Sequence, residues 1–238
     1  MIHYFLVLIF LVPWTFLGIV FVILGKFVNP GGQVSHQAGR LWSLGILKVS
    51  RMKIEVEGLD LIDPRGQYIF IANHTSAFDI PAVYWGLKNK LGMLAKQRLK
   101  YIPLFGWAMW AAGHFFVNRG NHRKAMAVME QVADILSRRP DHSLVIFPEG
   151  TRSYDGHLQR FKKGAFMLAL DTGIPIVPII ISGAFHAKQK KGNRIQATTI
   201  RILILPPVSP ESYTLDTRDH FVEDVHQIFE QHYTPPSA

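Results

Sequence analysis

The sequence contains no cysteine. This absence excludes a disulfide framework, a thiolate nucleophile, and zinc or iron–sulfur sites built on cysteine, although it does not identify the compartment. The sequence also has no zinc-finger spacing, no RNP-type aromatic run and no basic heptad helix, so no motif points to nucleic acid. It contains no internal repeat. With 238 residues, nearly half of them apolar, the chain is long enough for one sizeable globular domain and an appendage.

Charged residues are absent from Tyr4 to Gly25, a run of 22 residues. As a helix this run would be roughly 33 Å long, about the thickness of one hydrocarbon core. A signal peptide fits poorly, because the start lacks basic residues, the run is too long and no small-residue cleavage site is evident. We therefore predict a membrane-associating helix. A bent or re-entrant hairpin is the alternative, because Pro13 and Gly18 are positions at which a helix kinks.

Basic residues follow this run, at Lys26, Arg40, Lys48, Arg51 and Lys53. By the positive-inside rule they predict that the rest of the chain lies on the cytoplasmic side. Residues 33–50 mix apolar side chains with two of these cations. We predict an amphipathic helix lying in the membrane interface there, with an ordinary core-packing helix as the alternative.

The net charge of +9 is concentrated in the middle of the chain. Residues 88–163 contain 14 Lys and Arg against 5 Asp and Glu, which by itself equals the net charge of the whole sequence. The stretch from Glu211 onward is acidic instead. A basic middle segment after an apolar run favours an anionic membrane surface or a phosphate-bearing substrate.

Beyond Gly58 the sequence alternates strand-like and helix-like segments. Continuous apolar runs predict strands at 68–72, 91–95, 114–117, 144–147, 176–181 and 200–205, with helices at about 79–87, 101–111, 122–138, 161–172 and 217–232. This alternation predicts an α/β fold: a largely parallel central sheet flanked by helices, preceded by an N-terminal membrane-associating helical segment. We divide the chain into membrane-anchoring helices over 1–58 and a catalytic α/β domain over 59–238.

A histidine and an aspartate, His74 and Asp79, stand five residues apart where a strand is expected to give way to a helix. A neutral imidazole accepts a proton from an alcohol near neutral pH, and a carboxylate on its other nitrogen fixes its tautomer. The pair therefore predicts a general base. The alternative is that His74 caps the strand end and Asp79 caps the helix. Ser76 is a weaker nucleophile candidate, because the sequence has no Gly-x-Ser-x-Gly elbow.

The block Phe147-Pro148-Glu149-Gly150-Thr151-Arg152 follows another predicted strand. It brings a carboxylate, a glycine and an arginine onto a turn. Lys96 and Arg119 end two further strands. Cations at the carboxyl ends of parallel strands meet at one edge of the sheet, so these three predict a phosphate clamp; separate solvated charges are the alternative.

Aromatic and apolar residues are crowded into residues 101–110. Most are expected to form a buried helix, yet their position beside the basic stretch also fits an acyl-chain groove that opens into lipid. The histidines other than His74 are scattered without ligand spacing, so no metal site is predicted. We expect surface or capping roles for them, His114 included.

With these residues assembled, the chain resembles the glycerolipid acyltransferase family, specifically the bacterial-type 1-acyl-sn-glycerol-3-phosphate acyltransferases. The resemblance covers residues 66 to 183 in four ordered blocks. They are Asn73-His74-x4-Asp79, Gly113-x-Phe115-Phe116-x-x-Arg119, Phe147 to Ser153, and Ile174-Pro175-Ile176-Val177-Pro178. One position departs: Asn118 stands where many members carry an acidic residue, which puts the acceptor headgroup in question.

The resemblance implies transfer of a fatty acyl chain from acyl-CoA or acyl-carrier protein to the 2-hydroxyl of lysophosphatidate, giving phosphatidate, without metal, cofactor or covalent acyl-enzyme. His74 would be the base and Asp79 its partner. The substrate-binding residues would be Lys96, Arg119, Glu149, Gly150, Thr151 and Arg152. Membrane lipid would be a partner and nucleic acid would not. The implied location is the bacterial inner membrane, with the catalytic domain on the cytoplasmic side.

Two other functions fit the same sequence. The enzyme would act on another lysolipid, or take its acyl group from a phospholipid as a transacylase. Alternatively, the protein would bind membrane lipid without catalysing any reaction.

Overall fold

The computed structural model describes residues 2–29, 32–118, 120–188 and 195–236. The helices are α1 (Ile2–Val28), α2 (Gln33–Val49), α3 (Asp79–Gly86), α4 (Phe105–Ala111), α5 (His122–Ser137), α6 (Gly164–Thr172), α7 (Ala184–Ala187) and α8 (Arg218–His232). The strands are β1 (Lys53–Glu57), β2 (Ile69–Ala72), β3 (Lys90–Lys96), β4 (Phe115–Val117), β5 (His142–Ile146), β6 (Ile176–Ser182) and β7 (Thr199–Ile204).

Within the described ranges these strands form one sheet in the order β1-β7-β6-β2-β5-β3-β4. Strands β2 to β6 are mutually parallel. Strand β7 runs antiparallel to β6, and β1 pairs with β7 at the edge. The predicted fold class, a largely parallel sheet flanked by helices behind an apolar N-terminal helix, is confirmed.

Strand β2 lies at the centre of the sheet, and all four of its side chains are buried. Phe70 and Ala72 face a core built with α2 and α3. Ile69 and Ile71 face a second core built with α5, α6 and α8. Both faces of the sheet are therefore covered, as continuous apolar strands require. The carboxyl ends of β2 and β5 emerge side by side, because Ile71 is the register partner of Ile146.

Two elements, β1 and α7, were not predicted, and two helices begin three or four residues later than predicted. Strand β1 lies inside the range assigned to the membrane-anchoring helices; the division at residue 58 stays a prediction. Helix α4 begins at Phe105 rather than 101, because Leu104 has a left-handed φ of 62° that no helix continues through. Helix α6 begins at Gly164 rather than 161, because the Lys162 N–H is held by the Pro148 carbonyl oxygen, 2.9 Å away.

Helices α1 and α2 form an antiparallel pair. The indole of Trp14 donates to the Trp42 carbonyl oxygen at 3.0 Å, and the hydroxyl of Ser35 donates to the Val22 carbonyl oxygen at 3.1 Å. Ile46 on the other side of α2 is buried in the core with α3. The structure therefore favours the core-packing alternative for residues 33–50. In the described part of the chain, residues Ile9–Val28 of α1 form one stretch that is long and apolar enough to cross a membrane, and it is mostly exposed.

Candidate active site

The loop after β2 carries His74 and is fixed to the neighbouring strand. The Asn73 side chain donates to the Ile181 carbonyl oxygen at 2.9 Å and accepts from the Ile181 N–H at 2.7 Å. These two bonds satisfy the buried amide and prevent the loop from moving away from β6. The residue after Asn73 is therefore held at the carboxyl edge of the sheet, where parallel α/β folds place their chemistry.

His74 and Asp79 contact each other directly: the imidazole Nδ1 lies 2.7 Å from Oδ2 of the aspartate. Asp79 is the first residue of α3 and its side chain is completely buried. Its Oδ2 also accepts the backbone N–H groups of Thr75 and Ser76, both at 2.8 Å. Because an ionised carboxylate only accepts hydrogen bonds, we assign the proton to Nδ1 and leave Nε2 to act as a base.

The loop after β5 packs against the same imidazole. The Phe147 ring is stacked on the His74 ring with centroids 4.2 Å apart, and the Ser153 N–H donates to the His74 carbonyl oxygen at 2.8 Å. Gly150 turns this loop with a φ of 73°, and a Cβ there would lie 2.8 Å from Lys162 Nζ. The Gly150 N–H donates to the Phe147 carbonyl oxygen at 3.0 Å, so it is engaged within the turn.

Two of the three predicted cations lie on one cavity with His74. The cavity has a volume of about 490 Å³, and its lining includes His74, Lys96 and Arg152. Lys96 ends β3 and Arg152 follows the turn after β5, so parallel strands bring both to the same edge. The third cation, Arg119, lies outside the described residues. Glu149, Gly150 and Thr151 are absent from the cavity lining as far as the structure describes the chain.

The rest of the cavity wall is mostly apolar. Helices α1, α3 and α4 contribute Ile19, Val22, Ile80, Phe105 and Met109, and strand β3 contributes Met93. A volume in this range is typical of small-molecule sites, which run from about 300 to 1,000 Å³. The site therefore joins a base and two cations to a space that suits an apolar chain.

A family model described as acyltransferase matches residues 53–182, more than half of the chain. The chain belongs to this acyltransferase family.

Curated relatives include 1-acyl-sn-glycerol-3-phosphate acyltransferases from Cocos nucifera and Limnanthes alba. The first is 31% identical over 95% of this chain and 68% of its own length, and the second is 32% identical over 94% and 74%. The crystal structure of the 1-acyl-sn-glycerophosphate acyltransferase from Thermotoga maritima superposes with a TM-score of 0.79 at 23% identity, covering 99% of each chain. At that identity the match establishes the fold alone.

Several residues that line the cavity of this acyltransferase were not predicted from the sequence. Thr15, Gly18 and Trp42 bring α1 and α2 into the cavity wall, although both helices are distant in sequence from His74. His114 also lines the cavity, although a surface or capping role was predicted for it. Burial lowers its pKa to about 4, so its imidazole is neutral. No sequence pattern marked these positions, since each contact depends on how separate elements pack. In the described residues no group of three metal-ligating side chains occurs.

Glu149 stabilises the loop that carries His74. One carboxylate oxygen accepts the His74 backbone N–H at 2.8 Å, and the other accepts the Gln159 side-chain amide at 2.9 Å. Burial raises the pKa of Glu149 to about 7, although both hydrogen bonds favour the charged form and oppose the rise. Its oxygens are thus occupied by protein donors.

This raised pKa predicts a pH-dependent stability that Glu149→Gln removes. A folded-state pKa above the unfolded value of about 4.3 means that the contribution is full below that value and is lost as the pH rises through about 7. Between pH 5 and pH 8 we expect the Tm of the wild type to fall by about 3–8 °C more than that of the variant. Thermal unfolding in detergent measures this. Exposed Glu211→Gln serves as the control, and identical pH profiles for Glu149→Gln and the wild type would refute the shift.

Proposed function

We propose that this acyltransferase moves a fatty acyl chain from a thioester to the sn-2 hydroxyl of 1-acyl-sn-glycerol 3-phosphate, giving phosphatidate. One observation carries the proposal: the imidazole of the His74–Asp79 pair opens onto the same apolar cavity as Lys96 and Arg152. That cavity combines the groups a lysophosphatidate needs, which are a base for its hydroxyl, cations for its phosphate and apolar walls for its chain. The names of the curated relatives support the same acceptor.

In the proposed reaction His74 Nε2 takes the proton from the acceptor hydroxyl as its oxygen attacks the thioester carbonyl. A carbon–oxygen bond forms, the carbon–sulfur bond breaks, and the imidazolium returns the proton to the departing thiolate. Asp79 stabilises the imidazolium through its 2.7 Å bond to Nδ1. A general base contributes about 10²–10⁴-fold, so positioning of the two substrates supplies much of the remaining acceleration.

Direct transfer, without a covalent acyl-enzyme, is supported by the state of Ser76. This serine is completely buried, and its hydroxyl donates to the Lys188 carbonyl oxygen at 2.9 Å. A nucleophile needs its oxygen exposed to substrate and hydrogen-bonded to a base. Because the Ser76 hydroxyl proton is directed to a main-chain oxygen, the hydroxyl of the acceptor is the better nucleophile.

The phosphate of the acceptor is assigned to Arg152 and Lys96, with Arg119 as a third contact predicted from the sequence alone. A phosphomonoester carries up to two negative charges, and several cations bind it better than one. We assign to Glu149, Gly150 and Thr151 a role in shaping the loop after β5 at the acceptor site. The reaction requires no metal or cofactor, because His74 itself transfers the proton. The donor is acyl-CoA or acyl-carrier protein.

We also assign the protein to the bacterial inner membrane, with its α/β domain on the cytoplasmic side. The apolar and mostly exposed helix α1 supports a membrane location. Lys26 in its last turn and the basic residues that follow support this orientation under the positive-inside rule. Membrane lipid is then both the surroundings of the cavity and the source of the acceptor.

Purified protein should acylate lysophosphatidate far faster than lysophosphatidylcholine, whose phosphate carries choline and a single negative charge. Arg152→Ala should raise the KM for lysophosphatidate by about 10–100-fold with a smaller change in kcat, because the lost contact binds ground state and transition state alike. The assay uses acyl-CoA and acyl-carrier protein donors in turn. Arg138→Ala is the control, since that side chain directly follows α5 and is 76% exposed. Equal rates with the two acceptors would point to another lysolipid, and no turnover with either donor would point to a binding protein.

A further inference from the structure

We propose that residues 96–111, here called the α4 platform, form a second membrane-docking surface that seats its aromatic side chains in the headgroup region of an anionic bilayer. The platform comprises the end of β3, the 3-10 helix Gln97–Tyr101 and helix α4. The proposal rests on the proposed function only in assuming that the protein works at a membrane.

The platform exposes large aromatic side chains to an unusual degree. Tyr101, Trp107 and Trp110 are 70%, 64% and 67% exposed, and Ile102 and Leu104 beside them are 47% and 40% exposed. Single exposed apolar residues are ordinary, but a contiguous group marks a surface that is covered in function. Tryptophan and tyrosine favour the membrane interface in particular, because their rings are apolar and their N–H and O–H groups stay hydrated.

These side chains remain exposed because the other faces of α4 are already in use. Ala108 and Ala111 pack against Val22 of α1, and Met109 lines the catalytic cavity. The segment is also closely packed. A Cβ on Gly106 would lie only 2.2 Å from the Lys100 carbonyl oxygen, so only glycine lets α4 approach the preceding 3-10 helix this closely. The aromatic side chains thus project from a closely packed surface.

The charge around the platform selects an anionic partner. Lys96, Arg98 and Lys100 are all exposed. The sequence contains no Asp or Glu anywhere from Ile80 to Met129, while the same stretch holds eight Lys and Arg. Basic residues near the surface of an anionic leaflet are attracted to it. Aromatic side chains flanked by cations, without any acidic residue, fit a lipid interface better than a protein surface of mixed charge.

The platform also continues the apolar surface of α1. Helix α4 packs against α1 through Ala108 and Ala111, and Trp107 and Trp110 are exposed on the same short helix. Phe16, Phe21 and Leu24 of α1 are themselves 54%, 63% and 57% exposed. A bilayer that receives α1 therefore meets the α4 platform on the same side of the molecule. Docking of both would hold the wall formed by Val22 and Met109 against lipid, where acyl chains are present.

Spin labels test this directly, because the native chain has no cysteine to replace. The full-length protein is reconstituted into vesicles of phosphatidylcholine with about one third phosphatidylglycerol, carrying a nitroxide at Trp107→Cys or Trp110→Cys. We expect both labels to collide at least threefold more with oxygen, relative to a water-soluble nickel chelate, than a label at Glu230→Cys. Glu230 is the matched control, since it is 60% exposed on α8 across the sheet. Labels at 107 and 110 as accessible to nickel as the control would overturn the proposal.

The charge requirement has its own test in the labelled protein. Replacing both Arg98 and Lys100 by Glu should reduce the oxygen-to-nickel ratio at position 107 by at least half in anionic vesicles, whereas Arg138→Glu should leave it unchanged. An unchanged ratio in the double variant, or equal ratios in anionic and purely zwitterionic vesicles, would remove the anionic part of the proposal. Turnover in detergent micelles is measured in parallel. A protein that turns over in detergent but whose labels do not enter the bilayer would overturn this proposal and leave the proposed reaction standing.

Discussion

His74→Ala should lower kcat for acyl transfer by at least about 10³-fold, because it removes the group that takes the proton from the acceptor hydroxyl. The expectation rests on geometry: Nδ1 is bonded to the buried Asp79, so Nε2 is the nitrogen left for substrate. Binding of lysophosphatidate should change by less than threefold, because the cations and apolar walls that bind it remain. Steady-state kinetics and equilibrium binding of radiolabelled lysophosphatidate measure the two quantities separately.

The control for this variant is His157→Ala, whose side chain is 66% exposed in the loop beyond the cavity. It should retain kcat within twofold of the wild type. The alanine at position 74 also loses the stacking contact with Phe147, so thermal unfolding is measured to establish that the fold persists. A folded His74→Ala protein with more than a tenth of wild-type kcat would contradict the general-base role and, with it, the proposed reaction.

The part of the site that sequence predicts well is local. His74 and Asp79 are five residues apart at a junction between a buried strand and a helix, so their contact depends on one turn of chain. Lys96 and Arg152 follow strands whose apolar runs are unambiguous, and parallel pairing brings strand ends to one edge. The order of β2, β5 and β3 in the sheet then decides that both cations face the same cavity as His74.

The part that sequence does not predict depends on distant pairings. Strand β1 has a mixed polar pattern and is a strand only because β7, about 145 residues later, accepts it at the edge of the sheet. The bond from the His74 N–H to Glu149 spans 75 residues. Within residues 101–110 the sequence shows many aromatic residues but not their directions. Packing against Val22 turns Trp107 outward while Met109 points into the cavity.

Asp79→Asn should lower kcat by about 10²–10³-fold while leaving the loop in place, because the amide oxygen can accept the hydrogen bonds that Oδ2 accepts. Oδ2 accepts three hydrogen bonds, from His74 Nδ1 and from the N–H groups of Thr75 and Ser76. Oδ1 is buried and has no hydrogen-bond partner within the described ranges. The oxygen of the asparagine therefore takes the Oδ2 position, and its NH₂ group takes the other, since the reverse orientation would place it against two N–H donors.

This orientation separates two roles that the aspartate combines. In serine proteases the equivalent substitution reverses the tautomer of the histidine and costs about 10⁴-fold in kcat. In this site the two backbone donors keep an oxygen facing Nδ1, so the proton stays there and only the negative charge is lost. That charge stabilises the imidazolium as it forms, in a buried environment where electrostatic interactions are strong. The expected loss is therefore smaller than for a reversed tautomer.

Asp79→Ala provides the contrast. It leaves the N–H groups of Thr75 and Ser76 and the Nδ1 proton without their acceptor, and each unpaired buried donor costs about 1–3 kcal/mol. We expect Asp79→Ala to lose both activity and 5 °C or more in Tm. Asp79→Asn should lose less in Tm, because its oxygen keeps the three hydrogen bonds of Oδ2 and only its buried NH₂ group is left unpaired. Kinetics and thermal unfolding of the two variants measure this difference. If the asparagine variant unfolds as early as the alanine variant, the amide does not hold the loop, and if it turns over at the wild-type rate, the charge of Asp79 has no part in the proton transfer.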